Sequence, residues 1–427
     1  MPGMETRAQG GDGIVVRPID KSETAVWGRA LRTGFLEPTP PGVGEFVGEY
    51  FVPGRSLGAF DGERCVGTFR SFDQAITVPG GAEVSADAIT NVTVTATHRR
   101  RGLLTRMMRA DLDAAVDRGD TLAILDAAEY GIYGRFGFGP SCGIAAWSVD
   151  RRRAGGVRLP SGGEPAGSVE LLDVEAARRL GPEVHERFRR RQVGAIRRLP
   201  TYWRRVTGDL RMPGGSWTEP FFAVHRDAGG EPDGLARYTV RDVWRHGDPD
   251  VVLVVQDLIA TGPQAAAELW RYLFLIDWVS TVEVANLALD DPMPLLLANP
   301  RACVPHEDTV GDFLWVRVLD LPAALGARRY DTPGRLVLDV TDGLGYAAGR
   351  WALETDEDGS GRAERVGDSV PADLALDVSA LGTLYLGAQT AHRLAGAGLV
   401  REERPGAVRR ADRMLRTDER PWCPDQF

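Results

Sequence analysis

The residues best suited to chemistry lie within residues 89–139. Arg99-Arg100-Arg101-Gly102-Leu103-Leu104 follows the β-branched run Ile89-Thr90-Asn91-Val92-Thr93-Val94 and opens an amphipathic stretch. A turn between strand and helix leaves several backbone N–H groups without intrahelical acceptors, and the helix dipole adds to their pull on a diphosphate. Arginine side chains supply opposite charge, and Gly102 lets the backbone approach the anion closely. The next apolar strand leads into Tyr133-Gly134-Arg135-Phe136-Gly137-Phe138-Gly139, a glycine-rich loop whose phenol suits proton transfer to a thioester leaving group. Together the two motifs point to an acyltransferase with a CoA-type donor.

These residues need a scaffold, and the hydrophobic pattern outlines it. Residues 14–16, 57–60, 65–72 and 88–94 read as strands, with a helix around 24–36. From Gly102 to Arg118, Leu104, Met108, Leu112 and Val116 recur every four residues, a helix with one buried stripe. Strands at 122–125 and 143–149 complete a mixed α/β region, which ends near 151–162 where Arg, Gly and Pro accumulate.

A helical stretch over about 173–206, interrupted near Pro200, precedes strands at 221–225, 235–240 and 251–259, a helix from Pro263 to about 275 and a strand at 282–287. This order repeats the first region, so a duplicated fold is expected. The turn in the second copy, Thr261-Gly262-Pro263-Gln264, has no arginine, and Pro263 removes a donor. That copy is expected to be structural. A third region begins with a strand at 313–319 and continues through strands at 334–340, 349–354 and 372–378 and helices over 380–397 and 406–415. The expected domains are 1–158, 159–312 and 313–427.

Composition narrows the possible partners. A chain of 427 residues exceeds what one hydrophobic core supports, and 43% hydrophobic with 26% charged residues is ordinary for a globular protein. The net charge of −9 argues against nucleic acid as the main partner and suits a cationic one. Cys65, Cys142, Cys303 and Cys423 lack metal-like spacing, the six histidines form no cluster, and neither a signal peptide nor a membrane-spanning apolar run is present. A cytoplasmic, reduced protein without metal is expected. Asp356-Glu357-Asp358-Gly359-Ser360-Gly361 starts like a calcium loop, but Gly367 at its twelfth position cannot supply a bidentate carboxylate, so a hairpin turn is expected. The arginines from Arg187 to Arg191 read as a solvated or intersubunit face.

The segment from Ala96 to Leu104, the segment Gly131 to Pro140, the stretch Leu381-Gly382-Thr383-Leu384-Tyr385-Leu386-Gly387 and the final aromatic residue together resemble the Eis family of GNAT-superfamily N-acetyltransferases. Leu104 stands where the superfamily's R/Q-x-x-G-x-G/A loop ends in a small residue, and Eis members share that leucine. The resemblance spans nearly the whole chain. It implies mixed α/β sheets in tandem GNAT-like domains, only the first active, then a sterol-carrier-protein-like domain, assembled as a homohexamer. It also implies acetyl-CoA as donor and a small-molecule primary amine as acceptor, with aminoglycosides the best-known class and protein lysines another.

Site residues follow by the same resemblance. Tyr133 would protonate the departing thiolate, and the α-carboxylate of Phe427 would be the base. Backbone groups of Val92, Thr93 and Val94 would meet the pantetheine. Arg100, Arg101, Gly102, Leu103, Leu104 and Thr105 would hold the pyrophosphate, with Ala128 and Glu129 at the end of the second strand and Glu37 facing the amine. A terminal carboxylate near ~3.5 and an alkylammonium near ~10.4 leave direct proton transfer uphill by roughly 7 units, about 9 kcal/mol in water, a gap that burial must narrow. Tyr130 is a competing hydroxyl, and His98 reads as structural. The alternative is a non-catalytic scaffold that binds an apolar ligand in its C-terminal domain.

Overall fold

Alternating β-branched and aromatic stretches build two mixed sheets, each crossed by one helix whose apolar face lies on it. The computed structural model describes every residue except 1–7, 10–12, 161, 163–164 and 242–243. The first sheet runs, edge to edge, through Ala8–Gln9, Val15–Pro18, Ser56–Asp61, Arg64–Thr77, Glu83–Val94, Leu122–Asp126, Leu314–Val318 and Gly139–Pro140. Its neighbours are antiparallel except Glu83–Val94 and Leu122–Asp126. A parallel pair needs a crossover, and the Leu103–Arg118 helix supplies it. Leu103, Met107, Met108, Leu112 and Ala115 on that helix are buried against Val66, Phe69, Ile89 and Leu125.

The second sheet runs Cys303–Asp312, Gly143–Asp150, Val279–Ala288, Val251–Ala260, Pro232–Arg241, Phe221–Asp227 and Gly167–Leu172. Val251–Ala260 and Val279–Ala288 are parallel and joined by the Pro263–Leu275 helix, which repeats the layout of the first sheet. A third, five-stranded sheet runs Gly361–Arg365, Gly349–Thr355, Gly334–Thr341, Leu374–Asp377 and Val400–Glu402. The acidic turn after Thr355 is a hairpin connection, closed by Asp356 N–H to Ser360 O at 3.0 Å.

Two strands sit in a different sheet from the one their position in the chain suggests. Gly143–Asp150 pairs on both sides within the second sheet, and Leu314–Val318 fills the first sheet between Leu122–Asp126 and Gly139–Pro140. All of Leu314–Val318 is buried, as befits a strand with neighbours on both edges and layers on both faces. The third unit shares its core with the first sheet: Leu336, Leu381 and Leu384 lie in one apolar cluster with Val84, Ile124 and Val316. The helix of this unit at Val378–Tyr385 comes so close that a Cβ on Gly382 would stand 2.3 Å from Val316 O.

Two expected helices are shorter than their apolar spacing suggests. The helix expected over 173–206 ends at Arg189, resumes only at Pro200–Val206, and between them runs along Arg64–Thr77, with Gly194 N–H on Thr77 O at 2.8 Å. The helix expected over 380–397 is split into Val378–Tyr385 and Ala391–Gly396 by Gly387, whose φ of 90° breaks the helical path.

Candidate active site

The parallel ladder between Glu83–Val94 and Leu122–Asp126 pairs Ala86 with Leu122 and ends at Ile89 with Leu125. Just beyond, the register against Arg64–Thr77 slips: Thr68 faces Thr93 but Arg70 faces Thr90, and Asn91 takes a φ of 55°. Such a bulge bends the strand away from its parallel neighbour. Thr68 holds it, its Oγ1 donating to Asn91 O at 2.9 Å and meeting Thr93 Oγ1 at 2.8 Å. The two strands diverge around a cavity of about 570 Å³, with Val92, Thr93 and Val94 on one wall and Ala128, Glu129 and Tyr133 on the other.

The far end of this cavity is the arginine turn. Arg100 and Gly102 adopt φ of 64° and 73°, and the Leu103–Arg118 helix starts at Gly102 without any side-chain cap. Its first N–H groups are therefore free to bind an anion. A Cβ at Gly102 would meet nothing within 4 Å, so glycine is required there by conformation and not by space. Arg99, Arg100, Leu104 and Thr105 also line the cavity, whereas exposed Arg101 does not. Buried His98 anchors the turn through Asp61 Oδ2 at 3.2 Å and Thr97 Oγ1 at 2.9 Å.

Tyr133 is 8% exposed and lines this cavity and an adjoining one of about 500 Å³ that reaches Asp126, Arg205, Gln426 and Phe427. Burial, reinforced by the Glu129 and Asp126 charges, pushes its phenol up to about 12, so it keeps its proton at neutral pH. Tyr130 faces away: it is 66% exposed, packs edge-on against Trp315 at 5.0 Å and lines neither cavity.

Phe427 enters from the opposite side. Its α-carboxyl oxygen accepts from Thr90 Oγ1 at 3.0 Å, and its ring packs edge-on to Phe72 at 5.8 Å. The residues before it are pinned in turn: Gln426 Nε2 donates to Asp126 Oδ2 at 3.0 Å, and Asn286 Nδ2 to Pro424 O at 3.1 Å. Arg198 Nε donates to Asp425 Oδ1 at 2.8 Å while its two Nη atoms hold both oxygens of Asp257 at 2.7 and 2.8 Å. Burial alone would raise the Asp425 carboxyl, but Arg198 and His185 keep it below the usual range. Arg198 sits in a stretch read as helix, among many arginines, and no local feature marks it as the clamp of the C-terminal segment.

Glu37 lines none of these cavities. Its carboxylate lies 2.5 Å from Arg32 Nη1, because Leu36 at φ 60° turns the chain back at the end of the Thr24–Gly34 helix. Arg32, in contrast, does border a cavity next to Phe427.

The second sheet repeats the bulge, with Arg237 facing Asp257 but Tyr238 facing Val255, and its parallel ladder ends at Val255 with Val284. The turn there differs in kind. Gly262 is extended, at φ −169°, and Pro263 brings no N–H to the first helical position. Beyond the end of this ladder, Asp257 and Asn286 bind Arg198 and the C-terminal segment.

Two bulged, splayed sheets of this kind, one followed by a glycine turn onto an uncapped helix N-terminus, define a GNAT-type acetyltransferase. The family model described as acetyltransferase (GNAT) domain matches residues 15–141, a second model of the same description matches 194–318, and one for a sterol carrier protein domain matches 321–424. An uncharacterised N-acetyltransferase of Streptomyces avermitilis is 50% identical over 97% of this chain and 99% of its own length. The N-acetyltransferase Eis of Mycobacterium tuberculosis is 35% identical over 84% of this chain and 85% of its own. The crystal structure of Eis1 from Mycobacterium abscessus superposes with a TM-score of 0.83 at 31% identity, covering 96% of this chain and all of that one. The chain belongs to the Eis family of N-acetyltransferases. No helix among the described residues is long and apolar enough to cross a membrane.

Proposed function

We propose that this chain transfers the acetyl group of acetyl-CoA to a primary amine in the space between Tyr133 and Phe427. The observation that carries the reading is that both residues border one cavity, continuous at Tyr133 and Val92 with the groove that leads to the arginine turn. The edge of Val92 to Val94 would receive the pantetheine amides as a neighbouring strand would, and the N–H groups from Arg100 to Thr105 the diphosphate. As the amine nitrogen bonds to the thioester carbon and the C–S bond breaks, Tyr133 gives its proton to sulfur. The proton lost by nitrogen goes to the Phe427 carboxylate. The region 1–158 would be active, 159–312 structural, and 313–427 the carrier of the base. A homohexamer and a cytoplasmic location rest on the family resemblance, as do aminoglycosides as acceptors, a polycationic class against which the arginines around Phe427 count.

The test is CoA release with a panel of amines. General acid or base catalysis contributes about 10²–10⁴-fold, so Tyr133→Phe and deletion of Phe427 are each expected to lower turnover by that order. Unchanged turnover in either variant removes that residue from its role. No binding of acetyl-CoA at millimolar concentration would favour the scaffold reading instead.

A further inference from the structure

Three cavities meet at Phe427, and the charges on their walls are unevenly distributed. The one beside the Thr24–Gly34 helix, about 310 Å³, is walled by the rings of Phe46, Tyr50 and Trp217 and by Arg70, Arg205 and Arg211. Arg205 also borders the other two cavities. None of these three guanidiniums has an ion pair among the described residues. Arg70 Nη1 donates to Tyr50 O at 3.0 Å, and its buried Nε has no partner. Arg211 Nε donates to Gly208 O at 2.8 Å and the group lies over the Trp217 ring, while Arg205 is 6.0 Å from the Tyr202 ring. A fourth arginine on the wall, Arg32, is neutralised by Glu37. Phe427 carries the only carboxylate on that wall among the described residues. Three guanidiniums thus face one carboxylate.

We propose that the acceptor is an amine that carries an anionic group, carboxylate or phosphate, on an aromatic or apolar body, and that Arg70, Arg205 and Arg211 determine this specificity. The inference rests on the acetyltransfer reading above. A polycation would place like charges beside three guanidiniums, a repulsion that selects against it. An anion in the cavity gains charge-assisted hydrogen bonds from the guanidinium groups that line it. Burial lowers Arg70 to about 10, a cost that an anion beside it would relieve. The same field disfavours an ammonium, so the acceptor nitrogen reaches its nucleophilic neutral form at lower pH and less is asked of the Phe427 carboxylate. The net charge of −9 belongs to the whole surface and does not describe this wall.

The experiment compares kcat/KM of the full chain, with saturating acetyl-CoA, for 4-(2-aminoethyl)benzoate, 4-(2-aminoethyl)phenyl phosphate, 4-(2-aminoethyl)benzamide and spermidine. The three aromatic amines share one nucleophile and differ in the remote group. At least one anion is expected to exceed the benzamide by about tenfold or more, as a charge-assisted bond allows, with spermidine lowest. The ranking of benzoate against phosphate names the anion. Arg205→Gln and Arg211→Gln are expected to bring the anion-to-benzamide ratio towards one, mainly through KM. Benzamide or spermidine equal to or better than both anions overturns the inference and leaves the acetyltransfer reading standing. No turnover with any amine together with no binding of acetyl-CoA overturns that reading itself.

Discussion

Thr90 Oγ1 donates a 3.0 Å hydrogen bond to the α-carboxyl oxygen of Phe427, across 337 positions of the chain. Thr90 is the residue immediately before the bulge at Asn91. The distortion that parts the two central strands therefore also sets where the Phe427 carboxylate stands relative to the cavity.

Replacing Thr90 by Val keeps the β-branched shape and removes the donor. A hydrogen bond to a charged group contributes about 1.5–3 kcal/mol, so kcat/KM for the amine is expected to fall about 10- to 100-fold. The Kd of acetyl-CoA, from calorimetric titration, should stay within about twofold. A parallel loss of donor affinity would show that the contact supports the bulge and not the carboxylate.

The Tyr133 phenol, raised to about 12 by burial and then by Glu129 and Asp126, should remain un-ionised where an ordinary tyrosine titrates. Because the folded value lies above the unfolded value near ~10, its stabilisation is complete below about pH 10 and is lost as pH rises through the folded value. The difference in absorbance titration between wild type and Tyr133→Phe should therefore be flat to about pH 10.5 while the fold persists by circular dichroism. An ionisation near pH 10 in that difference would contradict the buried, proton-bearing phenol.

Behind the cavity, Asp111 on the crossover helix accepts from Ser71 Oγ at 2.6 Å, and wholly buried Asp87 on the central strand pairs with Arg55 and with Arg118 at 2.8 Å. Burial and the Asp87 charge hold the Asp111 carboxyl well above the usual range. Its stabilisation is thus fully present below about pH 3.9 and lost as pH rises through the raised folded value. Asp111→Asn needs no proton, so its melting temperature relative to wild type should climb as pH rises above about 3.9. Asp87→Asn removes the carboxylate shared by Arg55 and Arg118, which keep Asp73 at 2.8 Å and Asp120 at 3.0 Å, and should cost less than the roughly 3–5 kcal/mol of a buried pair left wholly uncompensated. A pH-independent difference for Asp111→Asn would show that the carboxyl is ionised in the fold.

Gly382→Val should act at a distance. Its side chain would drive into Val316 O, 2.3 Å from the Cβ position, on a strand that belongs to the first sheet. Overpacking of this kind costs about 1–3 kcal/mol, and here backbone must move, so melting temperature and acetyl-CoA binding should fall together. Gly396→Ala, at a helical position where a Cβ meets nothing within 4 Å, serves as the control and should lower neither the melting temperature nor acetyl-CoA binding. Loss of stability with donor binding intact would mean that the third unit unfolds independently of the first.

The arginine turn, the helix after it and the proline-bearing second turn were legible because each depends on residue types adjacent in the chain. Glycine supplies positive φ, proline deletes a donor, and apolar spacing marks the helix face. Gly143–Asp150 and Leu314–Val318 were not placed by the same logic, since alternation states which face of a strand is buried and is silent about its neighbour. Tyr133 could not be preferred over Tyr130 by position alone, as their separation by one helical turn and opposite burial are properties of the folded loop. Glu37 carried the right charge for an amine, yet Arg32 reaches it first. The charge count summed all acids and bases, whereas the field at Phe427 depends on Arg70, Arg205 and Arg211 converging from separate elements. Residue chemistry by itself thus determined what the parts can do locally. Only the tertiary structure decided which parts face one another, because strand pairing and side-chain convergence join residues hundreds of positions apart.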